Sequence, residues 1–294
     1  MSEDAPSLAE VTALAQACIE AGEADPFEHF PVGDASATFG ARVDGRLAAV
    51  AAVAGGPAWK LAVATHPNLR ARGAARRVAA AAVAHVDGSV GPVRIDAWAP
   101  GAGLGPAPDL LAFGLDFALT RRLLRLEVDL AAVGGPQWPP GYAQDQLADA
   151  DVDAVVGVNN RAFAWHEDQG SWTAAGLRAR LEETWVDRAG FLVARARGGR
   201  VAGFCWTKLH PGTAPIGEIF VICTDPGDAG YGLGRALTLA GLAHLARSSG
   251  TAMLYVDDGN LTARRTYRRI GFHLARVDAR YTRDPSRPPF GGLR

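Results

Sequence analysis

Apolar runs of strand length alternate along the chain with stretches whose apolar positions recur every three to four residues. SLAEVTALAQACIEAG (7–22) has helical spacing. ATFGARVDGRLAAVAAV (37–53) reads as strand, glycine turn, strand. KLAVATHP (60–67) is a further strand, followed by a glycine-bearing loop and an Ala-rich helix. VRIDAW (93–98) and LLRLEVDL (123–130) supply a second and a closing strand. The same order returns in the second half. DVDAVVGVNNRAF (151–163) and TAAGLRARLEETW (173–185) are helical, and GFLVARARGGRVAGFCW (190–206) is again strand, turn, strand. GEIFVICTDP (217–226), an Ala/Leu-rich helix, AMLYVDD (252–258), a short helix and LARVDARYT (274–282) complete it.

The two halves match in register. Pro67 and Pro226, Gly73 and Gly232, Arg76 and Arg235, and His85 and His244 are each 159 positions apart. LLAFGLDF (110–117) resembles TYRRIGFHL (266–274), each ending a helical stretch with Gly and a following Phe. A single repeat of this length means two copies of one domain. The element order predicts an α+β fold with a mixed sheet and helices on both faces. AAVGGPQWPPGYAQDQ (131–146) breaks regular structure, so the expected division is 1–135 and 136–294.

Composition narrows the setting. The 294 residues are 48% hydrophobic and 21% charged, which is globular, with net charge −1 and no footprint for nucleic acid or an anionic membrane. The acidic start MSEDAPSLAEV has no apolar core of a signal peptide, and no apolar run is long enough to span a bilayer. Cys18, Cys205 and Cys223 lack metal-ligand spacing and read as buried small hydrophobes in a reducing compartment. A cytoplasmic monomer without metal, nucleic-acid or membrane partners is expected. Lysine is confined to Lys60 and Lys208.

DPGDAGYGLGRAL (225–237) carries the chemistry. A strand ending in a proline turn, then Gly-x-Gly at a helix start, presents unpaired N–H groups beside the positive end of the helix dipole. Gly232 and Gly234 would let an anion approach the backbone. On the glycines alone, an anion cradle and a helix start with packing glycines stand equal. No Gly-Lys-Ser/Thr occurs, which excludes a P-loop, and neither copy has the full G-x-G-x-x-G spacing of a dinucleotide fold.

The surrounding order resembles the GCN5-related N-acetyltransferase (GNAT) family: strand, proline turn, glycine loop, helix, strand, Asn260, then Tyr267, Gly271 and Phe272. NNRAFAWHEDQGSWT, FCWTKLH, GEIFVICTDP, GLGRALTLAGLAHLA and LYVDDGNLTARRTYRRIGF resemble more closely the mycothiol synthases, a tandem-GNAT family that acetylates the cysteinyl amine of Cys-GlcN-Ins from acetyl-CoA. The likeness is specific over 155–282 and mostly one of pattern over 1–130.

The resemblance implies two tandem GNAT domains, of which the C-terminal one is catalytic. Ala229, Gly230, Tyr231, Gly232, Leu233, Gly234 and Arg235 would cradle the pyrophosphate of acetyl-CoA, and the backbone of Ile222, Cys223 and Thr224 would meet its acetyl carbonyl and pantetheine. Asn260, Leu261, Thr262, Ala263, Arg264 and Arg265 would line the CoA arm. Ala229 stands where the family has Gln or Arg, so a side-chain contact is lost. In the first copy, Val63, Ala64 and Thr65 with Arg70, Ala71, Arg72, Gly73, Ala74 and Ala75 could bind a second, structural acetyl-CoA. That copy has Trp59 at the position of Glu218 and should not turn over.

The implied roles are Glu218 as general base, Tyr267 as the acid that protonates the CoA sulfur, and Glu28, Asp168, Lys208, Glu218 and Tyr255 as acceptor contacts. Each has a plainer reading. Glu218 could be an exposed strand end, Tyr267 a core neighbour of Phe272, and Lys208 a solvated edge residue. The activity has rivals too: a GNAT enzyme for another small amine or a protein N-terminus, or an acyl-CoA sensor without chemistry.

Overall fold

The computed structural model describes residues 3–30, 32–56, 58–101, 114–165 and 169–286. They build β1 (Glu3–Asp4), α1 (Leu8–Glu20), β2 (Ala37–Val43), β3 (Arg46–Ala54), β4 (Trp59–Thr65), α2 (Ala74–Val90), β5 (Ile95–Ala99) and β6 (Ala118–Asp129). There follow β7 (Tyr142–Gln146), α3 (Val152–Ala162), α4 (Ala174–Leu181), β8 (Phe191–Ala196), β9 (Val201–His210) and β10 (Ile216–Thr224). The chain closes with α5 (Leu233–Leu245), β11 (Thr251–Asp257), α6 (Leu261–Ile270) and β12 (His273–Arg283). None of the described helices is long and apolar enough to cross a membrane.

The compact units are Met1–Leu124 with Arg276–Arg294, and Arg125–Ala275, which does not coincide with a division at 135/136. In the first unit the strand order is β1-β2-β3-β4-β5-β12, with only β4 and β5 parallel. β2 and β3 meet at Asp44-Gly45, both at positive φ (50° and 75°), the two-residue turn that suits twisted strands. β3 is apolar at nearly every position because both faces are covered. Ala49, Ala51 and Val53 pack with Val78, Ala82 and Val86 of α2, while Val50 and Ala52 pack with Val11, Leu14 and Cys18 of α1. Ala279–Arg283 pair antiparallel with Ile95–Ala99, and Arg283 holds Asp87 through two hydrogen bonds of 2.8 and 2.9 Å.

In the second unit the order is β6-β11-β10-β9-β8-β7, with β10 and β11 parallel. One face packs α3 and α4 over Phe191, Val193, Phe204, Trp206 and Val221. The other receives α5, whose Gly241 lies against Cys205, Thr207 and Ile219. All three cysteines are free and buried. The strands expected to close each copy are therefore exchanged: β6 from Arg125 belongs to the second unit, and β12 from Arg276 to the first. Repeat similarity orders the strands but does not say which open edge each will pair with.

Candidate active site

β10 pairs with β11 only from Ile216 to Ile219, against Thr251–Leu254. Its ladder with β9 runs on to Thr224 but slips between Ile219 and Val221, making Phe220 an extra residue. Such a bulge sharpens the local twist and turns the strand away from a neighbour. From Phe220 onward β10 keeps only its β9 partner, so the backbone of Ile222, Cys223 and Thr224 has one side outside the ladder. The Cys223 side chain points into the core, burial pushes its thiol far up, and its backbone groups face β9, so the open edge is offered by Ile222 and Thr224.

The strand leads into a tight turn in which the Asp225 carboxylate accepts from the Gly227 N–H at 3.0 Å. Gly230 and Gly232 follow at φ +88° and +84°, in the left-handed region, and α5 begins at Leu233 with no side-chain cap. Its first N–H groups are thus open at the positive end of the dipole. A Cβ built on Gly230 or Gly232 meets nothing within 4 Å, so conformation rather than crowding requires glycine there. Arg235 is exposed in the first helical turn, where a cation opposes the dipole unless an anion sits between them.

A second layer beneath the loop escaped the sequence reading. Asp228, only 5% exposed, receives two hydrogen bonds from Arg200 (2.8 and 2.9 Å) and one from the Tyr142 hydroxyl at 2.8 Å. The Arg200 guanidinium holds this carboxyl below its usual range against the opposing effect of burial. Arg200 compensates the charge of a buried carboxylate that would otherwise stand unpaired beneath the helix start. Partners from β7 and the β8–β9 turn leave no local spacing signal.

The first unit repeats the arrangement in part. β4 pairs with β5 only over Trp59–Leu61, so Val63, Ala64 and Thr65 keep β3 alone, without a register slip. Gly73 at φ +73° starts α2, and Ala74 and Ala75 open that helix. Ala71 is held at φ +61° where the second copy has Gly230, a strained conformation for a residue with a Cβ. Arg70 is paired with Glu23, and Arg72 lies 3.9 Å from Asp44.

Register places the candidate chemistry of the second unit on one face. Glu218 is opposite Lys208 on β9 and beside Met253 on β11, and Tyr255 follows Met253 on the same side. Glu218 is 7% exposed, which corrects the reading of an exposed strand end, and its Oε2 lies 2.6 Å from His210 Nε2. His210 was not among the residues the sequence singled out; the signal that could have found it is its two-residue step from Lys208, which puts both on one face of β9. Lys208 is not a solvated edge residue, since its ammonium lies 4.8 Å from the Trp185 ring centre and 5.4 Å from that of Phe220.

Tyr267 lies on the inner side of α6, 8% exposed, edge-to-face with Phe272 at 5.6 Å. Burial, helped by nearby Cys205, pushes its phenol well above the usual range, so it stays protonated. The core contact and a proton-donor form therefore coexist. Asn260 caps α6 by accepting from the Ala263 N–H at 3.1 Å, ahead of Leu261, Thr262 and Arg265, and Arg264 bonds Asp258 at 2.6 Å. Glu28, in the first unit, is paired with Arg276 at 2.6 Å. Asp168 lies outside the described residues. Among the described residues no group of His, Cys, Asp or Glu is arranged to hold a metal.

The model of the acetyltransferase (GNAT) family matches residues 159–272. A mycothiol acetyltransferase of Salinispora tropica is 41% identical over 290 residues, covering 92% of this chain and 91% of that protein. One of Salinispora arenicola is 40% identical over 298 residues, covering 95% and 94%. A GCN5-related N-acetyltransferase from Sphaerobacter thermophilus shares the fold at TM-score 0.76 and 18% identity, over 98% of this chain and 96% of that one. A tandem GNAT protein from the clavulanic acid biosynthesis pathway does so at 0.72 and 17%, over 98% and 99%.

Proposed function

Because the chain belongs to the mycothiol acetyltransferases of the GNAT family, and is an acetyl-CoA-dependent N-acetyltransferase, we propose that its acceptor is the cysteinyl amine of Cys-GlcN-Ins. The observation that supports the site is the splayed end of β10, which runs into a glycine-started helix with a buried carboxylate on the same strand. Acetyl-CoA fits this cradle. Gly230, Gly232 and Gly234 leave its backbone accessible, α5 presents open N–H groups, and Arg235 adds a cation.

Bound there, acetyl-CoA supplies an activated thioester carbonyl. The N–H groups of Ile222 and Thr224, which point away from β9, donate to the oxygen on which negative charge develops. A free α-amine has a pKa of about 7.7–8.0, so much of it is protonated at neutral pH and unable to attack. Glu218 takes that proton, directly or through water, and Tyr267 supplies one to the leaving sulfur. Lys208 and Tyr255 face the acceptor from the same side of the sheet. In the first unit, the β4 splay and Gly73 favour a second acetyl-CoA as a structural ligand, with Trp59 in place of a base. The free, buried cysteines suit a reducing cytoplasm.

The test is release of CoA thiol by the purified chain with Cys-GlcN-Ins and a panel of simple amines, alongside Glu218→Gln. Selective turnover with Cys-GlcN-Ins is expected, with a loss of about 100-fold or more in the variant while acetyl-CoA binding persists. Turnover with another amine only would overturn the acceptor, and binding without any turnover would favour the sensor.

A further inference from the structure

Glu218 and Lys208 are directly opposed on antiparallel strands, where opposite charges ordinarily pair. They do not pair. Lys208 is drawn over Trp185 and Phe220, and it makes no ion pair among the described residues. Phe220 is the extra residue of the β10 bulge, and Arg180 approaches the same ring at 5.6 Å. The slip that frees the strand end thus also supplies the ring that holds Lys208. Glu218 turns to the next residue on that face of β9, so its Oε2 meets His210 Nε2, and its Oε1 makes no hydrogen bond among the described residues. The carboxylate side chain is 9% exposed and the imidazole 38%, so the ring is the wetter partner.

We propose that His210 is the positioning residue for the base: its Nε2–H donates to Glu218 Oε2 and fixes Oε1 as the oxygen that takes the acceptor's proton. The inference rests on the role proposed for Glu218. An ammonium on the carboxylate would stabilise its ionised form and weaken it as a base, and would compete for the oxygen the amine needs. One imidazole N–H restrains the carboxylate while leaving the second oxygen open. In the step itself the amine N–H bond breaks, an Oε1–H bond forms, and the His210 bond to Oε2 persists throughout. Among the described residues, the other titratable or charged groups placed around this patch are Lys208 on β9, Tyr255 on β11, Arg180 on α4 and Glu183 just beyond it, the last bonded to the Trp185 indole at 2.5 Å.

The experiment measures kcat, both KM values and the pH profile of kcat/KM for the full chain and for His210→Ala, His210→Gln and Glu218→Gln, with acetyl-CoA and Cys-GlcN-Ins. His210→Ala should lose about 10- to 100-fold in kcat, with little change in either KM and a shifted acid limb. His210→Gln carries an amide N–H in place of the ring N–H and should recover most of kcat. If His210→Ala keeps kcat within about twofold while Glu218→Gln is inactive, the positioning role is overturned and the base survives. An active Glu218→Gln removes the base reading instead. Should His210→Ala fail to fold, His210→Gln decides alone: wild-type kcat with an unshifted acid limb overturns the proposal, and near wild-type kcat with a shifted limb upholds it.

Discussion

A phenol that packs against Phe272 and is also meant to give up a proton makes Tyr267 the sharpest residue to test. Tyr267→Phe preserves the ring contact, so a purely structural tyrosine would leave kcat unchanged; as the general acid it should cost about 100-fold in CoA release. Its protonation also couples to stability. The folded-state pKa is raised above the unfolded value of about 10, so the stabilisation is complete below about pH 10 and is lost as pH climbs above it. Thermal midpoints should fall in that alkaline range, and Tyr267→Phe should flatten the fall. The tyrosine and its Phe neighbour were legible as a motif. The burial that chiefly sets its protonation was not, because burial is a property of the packed fold and not of the motif.

At the level of elements, glycines divide by what surrounds them. Gly241 lies mid-helix in α5, and a Cβ there would stand 2.6 Å from Cys205 Sγ and 2.7 Å from Ile219 Cδ1. Alanine improves helix propensity by about 1 kcal/mol, but overpacking costs about 1–3 kcal/mol, so Gly241→Ala should lower the unfolding free energy in a denaturant titration. Gly234 has only Thr224 Cγ2 near such a Cβ, at 3.9 Å. Gly234→Ala should therefore keep or raise stability yet increase the KM for acetyl-CoA, since the added methyl stands at the cradle. The loop–helix element was readable from its residue order in both copies. What could not be read was the slip at Phe220, because a bulge depends on how β9 and β10 align and not on either strand's own pattern.

Across the whole molecule, the exchange of closing strands has a direct consequence. A chain ending at Ala275 would deprive β5 of its antiparallel partner and remove the Arg283–Asp87 and Thr282–Asp96 contacts. It would also remove Asp278, whose buried carboxylate is held by His29 and Arg276 and by the Gly101 N–H. Amides of Ile95–Ala99 should then exchange rapidly in hydrogen-exchange measurements, and unchanged protection there would count against this assignment. The sequence by itself determined the duplicated α+β order, the glycine-started helices and the strand bearing Glu218, because hydrophobic period and turn chemistry act over a few residues. Only the tertiary structure decided which edge each closing strand completes, that Lys208 rests on aromatic rings, and that Glu218 turns to His210. Those outcomes depend on burial and on strand register, in which residues far apart in sequence compete for the same partner.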